Sequence, residues 1–170
     1  MRLEDRIRDI PDFPQKGIVF KDICPLIGDA QGLKLAVDRL QEVARDKKID
    51  AIVALESRGF LFGAPLAYNL GVGIIPVRKQ GKLPSETFKM EYALEYGTNV
   101  VEIHRDALAP GQKVLIVDDL LATGGTALAA AKLVEMLGAT VEAMVFVIEL
   151  TFLRGREKLA GYQVTSLVQY

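Results

Sequence analysis

Apolar residues along the chain fall into short blocks that alternate between two periodicities, with Gly- and Pro-marked turns between them. The clearest block is residues 114–117, Val-Leu-Ile-Val, an unbroken aliphatic run that reads as a strand buried on both faces. Pro110 and Gly111 mark a turn before it, and Ala127, Ala131, Val134 and Leu137 recur after it at helical spacing. Residues 51–55 form a second buried strand and lead through a tight polar turn into another helical stretch. Further strands are read at 73–77, 140–150 and 164–168, with a short helical turn at 153–159. Upstream, the spacing predicts a helix over 31–47 with Leu33, Val37, Leu40 and Ala44 facing in. It also predicts a short amphipathic helix over 2–9, using Leu3, Ile7 and Ile10 and ending at Pro11. Residues 12–17 are turn-rich, and 18–20 form a brief extended segment.

Strands that alternate with helices predict an α/β fold with a doubly wound, mostly parallel sheet. One stretch departs from the rhythm. Residues 78–85 are basic, punctuated by Gly81 and Pro84, and poor in apolar positions. Taken alone they read as a solvated surface loop. Between two strands of a small domain, an excursion this long is more often functional. With the segment from Thr87 through Gly97 to Ile103, it reads as a β-hairpin with a mobile tip. The expectation is one domain over 1–170 with a hood loop at about 78–99.

Composition narrows the class only a little. The 170 residues are 50% hydrophobic and 25% charged with net charge −1, ordinary for a soluble globular protein and no basis for binding nucleic acid or membrane. The single cysteine, Cys24, rules out an intrachain disulfide, fits a reducing, cytoplasmic setting, and is expected to be a small buried residue. The charged start is unlike a signal peptide, and no apolar run reaches membrane-spanning length. His104, the only histidine, sits among Glu102, Arg105 and Asp106 and reads as an exposed strand end.

Candidate chemistry concentrates after the 114–117 strand. Gly124, Gly125 and Thr126 lie where a strand turns into a helix, so their N–H groups can converge on an anion, and the helix dipole favours negative charge there. Thr123 and Thr126 add hydroxyl donors. Asp118 and Asp119 suit vicinal hydroxyls, each able to donate to one carboxylate; they suit equally a metal ion or the capping of the next helix. A sugar with a phosphate on one side and a diol on the other satisfies both halves. The loop is not a Walker loop, since no Lys follows its glycines, and Gly71-Val72-Gly73 fails the dinucleotide pattern at Pro76. The turn after 51–55, Glu56-Ser57-Arg58-Gly59, belongs at the same carboxyl edge of the sheet. There Arg58 and the loop amides can hold a second anionic group, although an Arg at such a turn commonly ends in solvent. From local sequence alone, Phe20 reads as core filler.

A hydrophobic strand followed by Asp118-Asp119 and by Ala122-Thr123-Gly124-Gly125-Thr126 resembles the phosphoribosyl pyrophosphate (PRPP) motif of the type I phosphoribosyltransferases. Leu120-Leu121 makes the chain similar to the adenine-using branch of that family, and Val77-Arg78-Lys79, Gly81-Lys82-Leu83-Pro84 and Leu94-Glu95-Tyr96-Gly97 resemble the family's hood loop, which closes over the substrates. The likeness runs from about Ile10 to Tyr170, with Lys21 where relatives often carry Arg and Cys24 where they often carry a small hydroxyl residue. The resemblance implies that adenine and PRPP give AMP and pyrophosphate with Mg²⁺, in a cytoplasmic homodimer that serves purine salvage. It implies that the 5-phosphate lies on Ala122 to Thr126, and that Asp118 and Asp119 take the ribose hydroxyls directly or through Mg²⁺-bound water. By the same likeness 56–59 is the pyrophosphate loop, whose backbone often carries a cis peptide in the family, with Glu56–Ser57 the bond expected here. Arg58, Lys79 and Lys82 neutralise the leaving group, and the adenine lies between Phe20 and Leu120 with the backbone of Val19 and Lys21 at its edge. Glu95 is the implied acid/base, where the residue alone would read as one more surface carboxylate. Two alternatives stay open: a transferase for a 6-oxopurine or orotate, and a non-catalytic PRPP- or purine-sensing regulator of the same fold.

Overall fold

A computed structural model describes residues 2–94 and 97–170. Seven strands form one sheet in the order β5-β6-β4-β3-β7-β8-β9. Five of them, β3 (Ala51–Leu55), β4 (Gly73–Lys79), β7 (Lys113–Leu121), β8 (Thr140–Glu149) and β9 (Val164–Gln169), run parallel. The hairpin of β5 (Thr87–Ala93) and β6 (Thr98–His104) adds an antiparallel edge through Arg78↔Glu102 and Lys79↔Val101.

Period-two alternation in fully buried strands produces the two-faced core. Ala51, Val53 and Leu55 of β3, with Val114 and Ile116 of β7, face α4 (Gly125–Met136). Their neighbours Ile52, Ala54, Leu115 and Val117 face α2 (Ala30–Ala44) and α3 (Gly59–Leu70) on the other side. Strands β3 and β7 are direct neighbours (Val53↔Ile116), yet the helices that follow them lie on opposite faces. The chain order therefore reverses between β3 and β7, and a crevice opens beyond their carboxyl ends.

The expected elements from 51 onward are present, and the fold is the doubly wound α/β one. The N-terminal expectation is overturned. Residues 2–9 form no helix: a 3-10 turn over Glu4–Arg6 is followed by strand β1 (Arg8–Pro11), paired antiparallel with β2 (Val19–Asp22). Cross-strand ion pairs hold this ribbon, Arg8–Asp22 and Lys21–Asp9 both at 2.6 Å, and they are contacts that helical periodicity cannot report. The helix read over 31–47 begins and ends earlier, as α2, where Asp29 accepts a hydrogen bond from the Gly32 N–H at 2.9 Å and caps its start. Before it stands an unanticipated helix, α1 (Cys24–Gly28). Cys24 is exposed on this helix's first turn and is not a core residue. The turn read at 153–159 splits into a 3-10 turn (Thr151–Leu153) and α5 (Gly155–Lys158).

Candidate active site

Two glycines in α3 set where the crevice lies. A Cβ on Gly63 would stand 2.7 Å from that of Ala54, and one on Gly59 would stand 2.9 Å from both Asp118 Oδ1 and the Val117 carbonyl. With no side chain at either position, α3 lies directly on β3 and brings the 56–59 turn against the end of β7. A cleft of ≈ 360 Å³ results, lined by Glu56, Ser57, Arg58, Lys79, Asp118, Asp119, Leu120 and Thr126 among others. A larger groove of ≈ 550 Å³ lies elsewhere, along Asp38, Gln41, Glu42, Arg45 and Lys47. It mixes charges of both signs and has no helix N-terminus for an anion, so the chemistry belongs to the smaller cleft.

Beside the cleft a second hollow of ≈ 70 Å³ is walled by Ala122, Thr123, Gly124, Gly125 and Thr126, with Leu121 and Phe146 behind. Gly124 has φ +82°, which lets the chain turn from β7 straight into α4. The first-turn N–H groups of α4 have no acceptor inside the helix, and here they face a concave space sized for a small anion. The hydroxyl of Thr126 donates to the Tyr92 hydroxyl at 3.1 Å. Its backbone N–H remains for the hollow.

Asp118 lines both hollows, and Asp119 beside it lines the larger one. Arg58 Nε lies 2.6 Å from Asp119 Oδ2, and the Arg58 guanidinium carbon is 5.5 Å from the Phe20 ring centre. Asp118 accepts from the Asp119 N–H at 2.8 Å. Desolvation, followed by the neighbouring Asp119 charge, pushes the Asp118 carboxyl well above the ordinary range. The folded chain therefore holds this proton more tightly than the unfolded chain does. Stability falls as pH rises from the unfolded value, about 3.9, through the raised folded one, and the deficit persists above it. Asp118→Asn should thus melt at a higher temperature than wild type at neutral pH, with the two curves converging in acid. A lower melting temperature at neutral pH would contradict this account of the carboxylate pair.

The 56–59 turn is braced from β4. Glu56 accepts from the Lys79 N–H at 2.8 Å and pairs with Arg78 Nη2 at 3.2 Å. Burial opposes its ionisation, but those bonds and charges win and hold its carboxyl below the ordinary range. The Glu56–Ser57 peptide is cis. Glu102, 3% exposed, accepts from the Gly81 N–H at 3.2 Å and pairs with Lys89 at 3.3 Å, so it fixes the turn that carries Lys79 and Lys82. Lys79 lines the cleft; Lys82 is exposed on the turn above it, its N–H donating to the Lys79 carbonyl at 3.2 Å.

The β1–β2 ribbon supplies a further wall. Phe20 is partly buried, edge-on to Phe13 at 5.2 Å, and the two line a shallow pocket with Ile10 and Asp22. Successive residues of a strand face opposite ways, so Lys21 points away from Phe20, with its ammonium 3.8 Å from the Tyr170 ring centre. Val19 is exposed, and Leu120 lines the main cleft. The structure thus gathers the acids, the glycine loop, the 56–59 turn and Lys79, and links Phe20 to them through Arg58. Glu95 lies outside the described residues. The sequence reading passed over Tyr92, which lines the cleft, bonds Thr126 and packs its ring against Gly125. The alternation of Phe88, Met90 and Tyr92 on one hairpin face was the available signal.

Comparison with known proteins agrees with this geometry. The sequence matches the phosphoribosyl transferase domain family over residues 27–163. It is 61% identical over 170 residues to the adenine phosphoribosyltransferase of Clostridium perfringens, covering 100% of this chain and 99% of that one. Its fold matches the crystal structure of adenine phosphoribosyltransferase from Thermoanaerobacter pseudethanolicus with a TM-score of 0.96 at 58% identity, over 99% of this chain and 98% of that one. The Saccharomyces cerevisiae enzyme, solved with adenine and D-2,5-dideoxy-2,5-imino-altritol 1,6-bisphosphate, matches with a TM-score of 0.92 at 47% identity, over 97% and 96% of the two chains.

Proposed function

The chain belongs to the phosphoribosyl transferase family, and on that premise we propose how its own residues carry the transfer of a phosphoribosyl group from PRPP to adenine, giving AMP and pyrophosphate. One observation carries the reading. A carboxylate pair and an Arg-bearing turn line one cleft at the switch point of the sheet, and an anion-binding glycine loop lines the hollow beside it.

The 5-phosphate takes the hollow of Ala122, Thr123, Gly124, Gly125 and Thr126, held by backbone N–H groups at the start of α4. Asp118 and Asp119 then face the ribose diol. As the bond from the ribose to pyrophosphate lengthens, positive charge grows on the ribose and negative charge on the departing group. Arg58, Lys79 and Lys82 offset the negative charge, and the 56–59 backbone, Glu56 to Gly59, cradles it. Arg58 leaves Asp119 to do so, which frees that carboxylate for the diol. Adenine stacks on Phe20 against Leu120, and Glu95 handles the proton that the base gives up as its ring nitrogen attacks.

Among the described residues no cluster of three or more His, Cys, Asp or Glu could enclose a metal. Two adjacent acids still fit Mg²⁺, which keeps several waters and binds through one or two carboxylates together with substrate phosphates. Desolvation, and after it the Asp119 charge, hinder Asp118 ionisation, and a nearby cation would offset both. Asp118 and Asp119 would hold it, through water. When bound, Mg²⁺ neutralises charge on the pyrophosphate.

Titration of PRPP with Mg²⁺ tests the assignment. Asp118→Asn and Asp119→Asn should each weaken PRPP binding by at least tenfold while AMP, whose phosphate meets an intact loop, loses less. Unchanged PRPP affinity in both would contradict the site. The hood at 78–99, a single domain over 1–170 and a cytoplasmic homodimer complete the proposal. Leu61 and Tyr68 project from one face of α3 at 45% and 87% exposure, apolar surface for a second copy to cover. Sedimentation should therefore give twice the 18.6 kDa chain mass, and a monomer mass at micromolar concentration would remove the dimer from the account. Among the described residues no helix is long and apolar enough to cross a membrane.

A further inference from the structure

The wall behind the glycine loop belongs to no substrate, and it is built from backbone. A Cβ on Gly155 would collide with the Ala122 carbonyl and stand 2.9 Å from the Gly124 nitrogen. Reciprocally, a Cβ on Gly124 would stand 2.5 Å from the Gly155 carbonyl oxygen. The first residue of α5 is thus in direct contact with the loop that turns β7 into α4, with no side chain between them. The four-residue α5 has too few internal bonds to fix its own position.

A polar cluster gathered on one buried carboxylate, Glu149, fixes it instead. Glu149, 4% exposed, ends β8 opposite Leu121 of β7. Its carboxylate takes both arms of the Arg156 fork, with Nε at 3.0 Å and Nη2 closer still. It also accepts from the Ser166 hydroxyl at 2.7 Å and from the Gln169 amide at 3.3 Å. The remaining arm of Arg156 donates to the Val164 carbonyl at 2.7 Å. One guanidinium therefore ties α5 to the ends of β8 and β9. A pair whose Arg156 side chain is 42% exposed adds little net stability, whereas its two-pronged geometry sets position strongly.

We propose that Gly155, held in place by the Glu149–Arg156 fork, is a positioning residue for the 5-phosphate of PRPP and AMP: it sets the shape of the 122–126 loop from behind. The inference rests on the phosphoribosyl reading of that loop. A shift of about 1 Å in such a cradle is enough to cost on the order of 10²-fold. A methyl at Gly155 must move either the loop or α5 by that much. Arg156→Lys keeps the charge but loses the fork, so it should displace α5 less.

The test is calorimetric binding of AMP, ribose 5-phosphate and adenine to wild type, Gly155→Ala and Arg156→Lys, with a melting curve for each. Gly155→Ala should lose roughly 10- to 100-fold in affinity for AMP and ribose 5-phosphate, Arg156→Lys an intermediate amount, and both should bind adenine as wild type does. That split is what a merely structural role would not produce. Equal losses for adenine and AMP, or wild-type affinity for AMP in both variants, would overturn the inference. Should Gly155→Ala fail to fold, the AMP-against-adenine split in Arg156→Lys decides alone. Failure of the underlying reading looks different: wild type itself would then bind neither AMP nor ribose 5-phosphate.

Discussion

Hypoxanthine and guanine should be used at least about 10⁴-fold less well than adenine, and Phe20→Ala should weaken adenine without admitting either of them. Phe20 stands partly exposed at the cleft side of the ribbon, with Arg58 on its face. A base stacked there gains about 1–3 kcal/mol whatever its identity, because every base has a π-face. Stacking therefore cannot choose. Choice falls to strand β2, which among the described residues is paired along one edge only, with β1. On the proposed reading, the Val19 carbonyl and the Lys21 N–H would complement the 6-amino donor and the N1 acceptor of adenine. The oxo bases present the reverse order and would set carbonyl against carbonyl and N–H against N–H, leaving buried polar groups unpaired. The register that makes this possible is fixed from the opposite face of the ribbon, where Lys21 meets Asp9 at 2.6 Å and the Tyr170 ring at 3.8 Å. Competition kinetics with the three bases on wild type and Phe20→Ala check the argument. A variant that gains hypoxanthine use would place the choice in the stack and refute it.

Glu95→Gln should lower kcat by about 10²- to 10⁴-fold and leave PRPP affinity nearly unchanged, the usual scale for loss of a general acid or base. Glu95 follows strand β5, whose pairing with β6 reaches Ala93↔Thr98, and Tyr92 three residues earlier already lines the cleft. The hairpin that carries Glu95 is thus rooted at the active site, since Tyr92 packs on Gly125 and bonds Thr126. On the proposed reading, closure of the 78–99 segment over bound substrates would bring the Glu95 carboxylate to the base. Steady-state turnover together with PRPP titration separates the two effects. Near-normal kcat in the variant would remove Glu95 from the chemistry.

The parts of this molecule that were legible in the sequence are the parts whose physics is local. Aliphatic runs at 51–55 and 114–117 announced buried strands, and Arg58-Gly59 and Gly124-Gly125 announced the turns that follow them. Acids and glycines adjacent in sequence stay adjacent in space, so the centre of the cleft came with them. Contacts between distant residues were not legible. The ribbon of β1 and β2 depends on Arg8 meeting Asp22, and the 3-10 turn before it, flanked by Leu3 and Ile7, mimics a helix in its spacing. Gly32, not Leu33, takes the innermost position at the start of α2 because α1 lies against it: a Cβ there would be 2.9 Å from the Leu26 carbonyl. Residue type alone puts Cys24 in the core, whereas helix α1 sets it in solvent. The Gly124–Gly155 contact joins two glycines that local sequence marks only as turns.

Pyrophosphate release from PRPP and Mg²⁺, measured with adenine, hypoxanthine, guanine and orotate supplied one at a time, separates an adenine transferase from its rivals. Adenine should give rapid release, matched mole for mole by AMP, and each other base at least about 10⁴-fold less. Release with hypoxanthine within tenfold of adenine would give the site to the 6-oxopurines, and PRPP binding without release for any base would make the protein a sensor and not a transferase.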